Sequence, residues 1–313
     1  MSVAAGRWLI AAVLIILSPG CVTAPPKQAA VDRAPGERAP VTATPANNKR
    51  ADATGSIQTV SGGIFRLSRA PQQGVVALGT VPEGTTRLVK DGADVEIAPD
   101  GRFILGFGRD HAPIAVLVAF RDDAPPLSAR IAVAPRAWKI ESLSAVRRFS
   151  QPDAEFQARR PGELAQIAAA RRINARSDGW RQAFIWPARG RISGVFGSQR
   201  IYRGEPGAPH SGVDVAGGAG AAVTAPADGV VILAATTPFT LEGNLLMIDH
   251  GGGLNSAFLH LSRIQVKVGD AVRQGQPVGA IGMTGRANGP HLHWGMKWND
   301  ERVDPATLAG VMR

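Results

Sequence analysis

The chain has 313 residues, which at about 150 residues per domain predicts roughly two domains, each large enough to bury a core. With 44% hydrophobic and 19% charged residues, the composition excludes a fully disordered chain and a polytopic membrane protein. The net charge of +10, carried mostly by arginine, predicts an anionic partner: nucleic acid, a membrane surface or the cell-wall polymer. Cys21 is the only cysteine, which excludes a disulfide framework and a multi-cysteine metal cluster.

The N-terminal segment has the layout of a secretory signal. An apolar run over residues 8–17 follows Arg7 and leads into Ser-Pro-Gly-Cys at residues 18–21. About ten residues span roughly 15 Å as a helix, too short for a hydrocarbon core of about 30 Å. A small residue directly before Cys21 resembles a bacterial lipobox, which predicts a signal peptide over 1–20 and a lipid on the Cys21 thiol. Simple secretion and an uncleaved interfacial anchor are the alternatives, and export in any form disfavours nucleic acid as the partner.

Two segments of different composition follow the signal. Residues 21–59 have almost no large apolar side chains and cannot repay the entropy of folding, so we expect a disordered tether. Residues 60–135 contain short β-like runs separated by turn signals such as Asp91-Gly92, which predicts a small antiparallel β-sandwich. The runs are Gly63–Leu67, Val75–Gly79, Thr86–Val89, Asp94–Ile97, Phe103–Phe107, Ile114–Phe120 and Ala129–Val133.

Residues 136–183 form an arginine-rich connector. Pro161-Gly162-Glu163 is a helix-opening signal, and we expect a helix from about residue 163 to 175. Its expected apolar face consists of Leu164, Ile167, Ala168 and Ile173. The arginines have two interpretations. They lie on a solvated connector helix, or they bind an anionic polymer through an electrostatic attraction that weakens as the salt concentration rises.

From Phe184 onward the chain is rich in glycine and valine and contains five of the six histidines. His210 and Asp214 are four apart, His260 ends an apolar run, and His291 and His293 are two apart and share a face of any strand that contains them. A set of His, Asp and His donors with one position open predicts a catalytic zinc site. The remaining histidines can supply a general base and an oxyanion donor.

These elements resemble the lysostaphin-type zinc metallopeptidases, the peptidoglycan endopeptidases with a LytM domain, over about residues 184–306. Phe258 stands where the family often has tyrosine, and Gly295 where it often has glutamate; we expect neither to abolish activity. The motifs that carry the resemblance are His210-x-x-x-Asp214, Ala225-Pro226-Ala227-Asp228-Gly229, His260-Leu261-Ser262, Gly282-Met283-Thr284-Gly285 and Gly289-Pro290-His291-Leu292-His293.

The resemblance implies a role for each matching residue. It implies His210, Asp214 and His293 as ligands of Zn²⁺, and His260 and His291 as the catalytic pair. Tyr202 stands in the loop where some relatives place a transition-state contact. The implied fold is an antiparallel-β peptidase domain, so we expect a mostly β chain with a small β domain, a helical connector, the peptidase domain and a tail over 307–313.

The expected function is zinc-dependent hydrolysis of peptide cross-links in peptidoglycan, in the periplasm and with membrane anchoring through Cys21. Export as a lipoprotein suggests a bacterium with two membranes, whose usual peptidoglycan cross-link is the D-alanyl–meso-diaminopimelate bond. We therefore expect this bond to be the one cleaved. The alternative is a non-catalytic scaffold that binds peptidoglycan or activates an amidase. His250, before three glycines, is expected to be structural in a hairpin turn, because no G-x-S-x-G motif supports a lipase-type oxyanion loop.

Overall fold

The computed structural model describes residues 65–144 and 153–312, and the expected mostly β, antiparallel architecture is confirmed. The predicted signal over 1–20, Cys21, the tether over 21–59 and two connector arginines, Arg147 and Arg148, lie outside the described residues.

The N-terminal sheets contain a strand at each of the seven predicted runs. Strands β1, β2 and β5 form one antiparallel sheet, and β4, β3, β6 and β7 form a second. In β6, buried Ala115, Leu117 and Ala119 alternate with more exposed residues, as expected of a strand with one face on a core. The strands are β1 Arg66–Leu67, β2 Val76–Thr80, β3 Thr85–Lys90, β4 Ala93–Val95, β5 Arg102–Gly106, β6 Ile114–Arg121 and β7 Ala124–Ala132.

The connector contains strand β8 (Ile140–Leu143), helix α1 (Ala154–Arg171) and a 3-10 turn, Gly179–Arg181. The helix expected from 163 to 175 was wrong at both ends. Asp153 opens α1 because its carboxylate accepts a hydrogen bond from the backbone N–H of Phe156 at 2.7 Å.

The predicted apolar face of this helix also needs correction. Ile167 is buried, but Leu164 is exposed, and Ile173 is exposed beyond the helix end. Glu163 is buried instead, because its carboxylate accepts hydrogen bonds from the backbone N–H and the hydroxyl group of Thr240. Across residues 65–144 and 153–312, no helix combines the length and hydrophobicity needed to cross a membrane.

The C-terminal part is built on a large antiparallel sheet with the order β18-β14-β15-β16-β20-β12-β9, and β21 pairs with β20. A smaller sheet has the order β13-β19-β17. The elements are β9 Arg191–Gly194, β10 Gln199–Tyr202, β11 Glu205–Pro206, β12 Gly212–Ala216, β13 Ala222–Thr224, β14 Gly229–Ala234, β15 Asn244–Asp249, β16 Leu254–Leu261, β17 Arg263–Ile264, β18 Ala271–Val272, β19 Pro277–Ala280, β20 His291–Trp298, β21 Glu301–Val303 and α2 Ala306–Ala309.

Two segments are more ordered than expected. The segment around Tyr202, expected to be a loop, contains the hairpin β10–β11, and β8 of the connector pairs with β10 in parallel. Residues 307–309 of the expected tail lie in α2, where Leu308 packs against the core.

The N-terminal sheets and the large sheet share one hydrophobic cluster. At Gly106 of β5, an added Cβ would lie 2.8 Å from Trp298 Cβ and 3.1 Å from a methyl carbon of Val303. The two parts of the chain are therefore in direct apolar contact through β5, β20 and β21.

Candidate metal centre

The large sheet places the predicted ligands through its register. Asp214 on β12 lies directly opposite His293 on β20, and Leu259 on β16 lies opposite His293 from the other side. His210 stands two residues before β12. Cross-strand partners have Cβ atoms about 4.5–5.5 Å apart, so the pairing alone brings Asp214 and His293 within reach of one ion.

Three donor atoms converge at this position. His210 Nε2 lies 3.1 Å from Asp214 Oδ1 and 3.1 Å from His293 Nδ1, and the last two atoms are 2.8 Å apart. Ligand atoms about 2.05 Å from a tetrahedral Zn²⁺ would be about 3.3 Å apart, close to these three separations. His210 Nδ1 donates to the Val195 carbonyl oxygen at 3.0 Å, which gives Nε2 the lone pair that a metal requires. The donor set therefore fits Zn²⁺.

Charge at the centre is concentrated on Asp214. Burial disfavours its carboxylate, but hydrogen bonds with His210 and His293 outweigh burial and hold the pKa of Asp214 well below its usual range. Burial also lowers the pKa of His293. For His210, burial acts in the same direction, but Asp214 prevails and raises its pKa. The site thus offers an anionic oxygen and two imidazoles, the usual hard and borderline donors for zinc.

The predicted catalytic pair lies beside these donors. The His260 and His291 rings are 4.9 Å apart between centroids, and His291 Nε2 lies 3.9 Å from Asp214 Oδ1. His260 Nδ1 donates to the Thr284 carbonyl oxygen at 2.9 Å, and His291 Nδ1 to that of Gly289 at 2.8 Å. Each ring therefore holds its proton on Nδ1 when neutral and carries the lone pair on Nε2.

His260 occupies an irregular position in β16. The pairing of β15 with β16 shifts between Asn244 and Leu246, so two residues, Leu259 and His260, oppose Leu245. His260 has φ of 65°, in the left-handed region, and its backbone N–H donates to the Glu242 carbonyl oxygen at 2.8 Å. This bulge turns the imidazole away from the direction that regular alternation would give it.

A groove of about 550 Å³ opens beside two of the donors, His210 and Asp214. Its lining includes His210, Asp214 and Tyr202, so the structure brings the predicted transition-state contact to the same groove. Tyr202 also interacts with the Arg200 side chain. Lys139 and Glu141 from the connector also line the groove, a contribution that the sequence did not predict.

Two glycines are needed for close approach at the centre, and neither was singled out from the sequence. A Cβ at Gly194 would collide with the Asp214 carboxylate, and one at Gly212 would lie 2.8 Å from His293 Nε2. A glycine two residues from a candidate ligand is the signal that could have identified Gly212. Gly194 is 16 positions before His210 in the sequence, and no local signal points to it.

His250, expected to be structural, lies away from the donors in a buried network. Its Nδ1 donates to the Asp228 carbonyl oxygen at 2.8 Å, and its Nε2 accepts from Ser256 Oγ at 2.8 Å. Trp294 Nε1 donates to the same Ser256 oxygen at 3.2 Å. The network ties His250 to the residue that follows His293.

Comparison with known proteins agrees with this geometry. The profile of peptidase family M23 matches residues 208–305. A peptidoglycan DD-endopeptidase of Vibrio cholerae, ShyA, is 42% identical over 105 residues, 33% of this chain and 24% of that protein. The DD-carboxypeptidase/endopeptidase Mpg of Neisseria meningitidis is 38% identical over 100 residues, 32% of this chain and 23% of Mpg. The match thus spans about a quarter of the length of these curated relatives.

A solved structure extends the match beyond the metal centre. A Pseudomonas aeruginosa protein assigned to peptidase M23 superposes with a TM-score of 0.60 and 32% identity, over 77% of this chain and 96% of its own. The alignment therefore includes much of the described chain outside 208–305. With a His-Asp-His donor set inside the matched residues, the chain belongs to peptidase family M23.

Proposed function

We propose that the protein is a zinc-dependent endopeptidase that hydrolyses peptide cross-links of peptidoglycan. The observation that carries this proposal is the convergence of His210 Nε2, Asp214 Oδ1 and His293 Nδ1 beside two imidazoles at the edge of an open groove. The names of the peptidoglycan DD-endopeptidase relatives support the choice of substrate.

Each group at the centre has a defined task in this proposal. Zn²⁺ held by His210, Asp214 and His293 would supply a Lewis acid and would lower the pKa of water. Of His260 and His291, the neutral one accepts the proton of the attacking water on Nε2 and passes it to the leaving amine. The other, when protonated, donates from Nε2 to the oxyanion of the tetrahedral intermediate. The carbonyl oxygens of Thr284 and Gly289 accept the Nδ1–H of the two rings, so Nε2 is the atom that accepts or donates in each step.

The finer substrate and location are part of the same proposal. D,D-cleavage of the D-alanyl–meso-diaminopimelate bond is supported by the names of the relatives and by the lipobox-like sequence before Cys21. The protein would act in the periplasm, anchored through a lipid on Cys21. Cys21→Ser should then move the protein from the membrane fraction to the soluble fraction, and an unchanged distribution would contradict anchoring.

Digestion of purified sacculi tests the activity. The full-length protein should convert cross-linked muropeptide dimers to monomers, identified by mass spectrometry, and a chelator should abolish the conversion. His260→Ala should reduce it by about 10²-fold or more, the usual contribution of a general acid or base. Cleavage that persists in chelator would overturn the zinc-dependent mechanism. Intact cross-links with a zinc-loaded wild-type protein would favour the non-catalytic scaffold.

A further inference from the structure

A second recess extends from the metal centre along the large sheet. Its floor includes His293, Gly295 and Lys297, which alternate along β20 and therefore share one face. Arg171 at the end of α1 and Arg302 of β21 complete one end of this cavity of about 90 Å³. The recess thus connects a zinc ligand to a group of basic side chains on the same face of the sheet.

These basic side chains lie close together. Lys297 and Arg302 are direct cross-strand partners in the pairing of β20 with β21. Burial lowers the pKa of Arg171, and the charge of Arg302 lowers it further. Burial likewise lowers the pKa of Lys297, and the positive charge of Arg171 lowers it further. The cluster therefore holds three positive charges that repel one another in a partly desolvated place.

The acids of the recess do not balance this charge. Glu242 lines the same recess and attracts Arg171, but its two carboxylate oxygens accept from Arg160 at 2.6 and 2.9 Å. Asp300 lies 3.7 Å from Lys297 and is fully exposed. Arg171 Nε is buried and has no hydrogen-bond partner within residues 65–144 and 153–312. An anion in the recess would give that donor a partner and relieve the repulsion.

We propose that Arg171, Lys297 and Arg302 form a subsite for a carboxylate of the peptide substrate, which sets the register of that peptide relative to the scissile bond. The proposal rests on the proposed function. Lys297 lies four positions after His293, about 13 Å along the strand at about 3.3 Å per residue. A Lys side chain that reaches back toward the centre shortens this span, so the recognised carboxylate belongs to a residue about two to four positions from the cleaved bond.

The test compares two soluble cross-linked stem-peptide dimers, one with free carboxylates and one in which they are amidated. The wild-type protein should prefer the free form through KM. Lys297→Gln and Arg302→Gln should each raise KM for the free form by about ten- to a hundredfold, with kcat within twofold. On the amidated form, variants and wild type should have the same KM. Arg130→Gln, at an exposed position of β7, removes the same charge and should change neither value.

A binding measurement separates the subsite from catalysis. In a His260→Ala background, calorimetry should show the same loss of affinity for the free-carboxylate dimer when Arg302→Gln is added, and this loss should shrink at high salt. Arg302 is exposed, so its substitution tests the subsite even if Lys297→Gln impairs folding. Unchanged KM and Kd in the variants, or an equal loss on the amidated dimer, would overturn the subsite. A wild-type protein that binds the free dimer preferentially without cleaving it would overturn only the proposed function.

Discussion

His260 adopts a backbone conformation that residues other than glycine rarely adopt. A φ of 65° in a non-glycine residue costs on the order of 1 kcal/mol or more, and the surrounding contacts must hold it. Here Glu242 accepts from its N–H and Thr284 from its ring. The strain is local to the bulge that aims the imidazole at the metal centre, which is where such backbone outliers tend to occur.

The five central residues could be predicted from the sequence, whereas their supports could not. His210, Asp214, His260, His291 and His293 are chemically distinctive and stand in short motifs at fixed spacing. The supporting groups are backbone carbonyl oxygens and glycines, which carry no chemical signature of their own. The carbonyl of Thr284, for example, acts on His260 from 24 residues away.

His250 gives a pH-dependent stability that can be measured apart from catalysis. Burial lowers the pKa of His250 to about 4, whereas an unfolded histidine has a pKa of about 6.5. As pH falls from about 6.5 to about 4, the unfolded state binds the proton first, so the free energy of unfolding should fall across this window, by at most about 3 kcal/mol. Above pH 7, His250 is neutral in both the folded and the unfolded state, so it does not make the free energy of unfolding depend on pH.

Denaturant unfolding of the metal-depleted protein between pH 7.5 and 4.5 checks this expectation. His250→Asn should be less stable than wild type at neutral pH, because the Asp228 carbonyl and Ser256 lose a partner, and its stability should decline less steeply with acid. His210 and His293 titrate in both proteins, so the difference between the two slopes isolates His250. Parallel slopes would contradict a neutral, buried His250.

At the scale of elements, α1 fixes the loop between β14 and β15. Arg160 donates twice to Glu242, Arg159 donates to the Pro238 carbonyl oxygen, and Glu163 accepts from the backbone and hydroxyl of Thr240. The same loop accepts the hydrogen bond from the His260 N–H through Glu242. One interpretation of the connector arginines was that they bind an anionic polymer. Two of them, Arg159 and Arg160, instead hold a loop of the same chain in place.

Arg160 should act as a positioning residue through this loop. Arg160→Ala leaves the half-buried Glu242 carboxylate unpaired, which should lower the free energy of unfolding by about 1–2 kcal/mol. We expect kcat to fall about fivefold or more, because His260 is held less firmly. On the dimer with amidated carboxylates, which does not use the basic subsite, KM should change less than twofold.

Steady-state kinetics with a soluble cross-linked peptide, together with thermal unfolding, measures both effects. Arg160→Lys should recover part of the lost kcat, and Arg172→Ala, an exposed arginine at the end of the same helix, should behave as wild type. A rise in KM for the amidated dimer at unchanged kcat would show that Arg160 itself contacts substrate and does not position His260.

The arrangement of α1 also shows how far local sequence signals extend. Pro161-Gly162 is a reasonable helix start by composition, yet Asp153 caps the helix earlier and the proline is accommodated inside it. The parallel pairing of β8 with β10 joins residues 59 positions apart, and hydrophobic periodicity contains no information about such a pairing. Tertiary contacts decide both features.

At the scale of the whole molecule, the small β domain and the peptidase segment are in direct contact within the described residues. Trp298 and Val303 pack on Gly106 of β5, and Lys90 lies 5.8 Å from the Trp298 ring. A fragment that begins near residue 184 would expose this apolar surface to water. Measurements of activity therefore belong on the full-length chain.

Zinc titration of the metal-depleted, full-length protein tests the central claim most directly. As zinc is added, cleavage of cross-linked muropeptides should rise in proportion to bound metal and saturate near one ion per chain. His293→Ala should bind zinc much more weakly and stay inactive at the same zinc concentrations. Full cleavage by the metal-depleted protein, or wild-type activity in His293→Ala, would contradict the account.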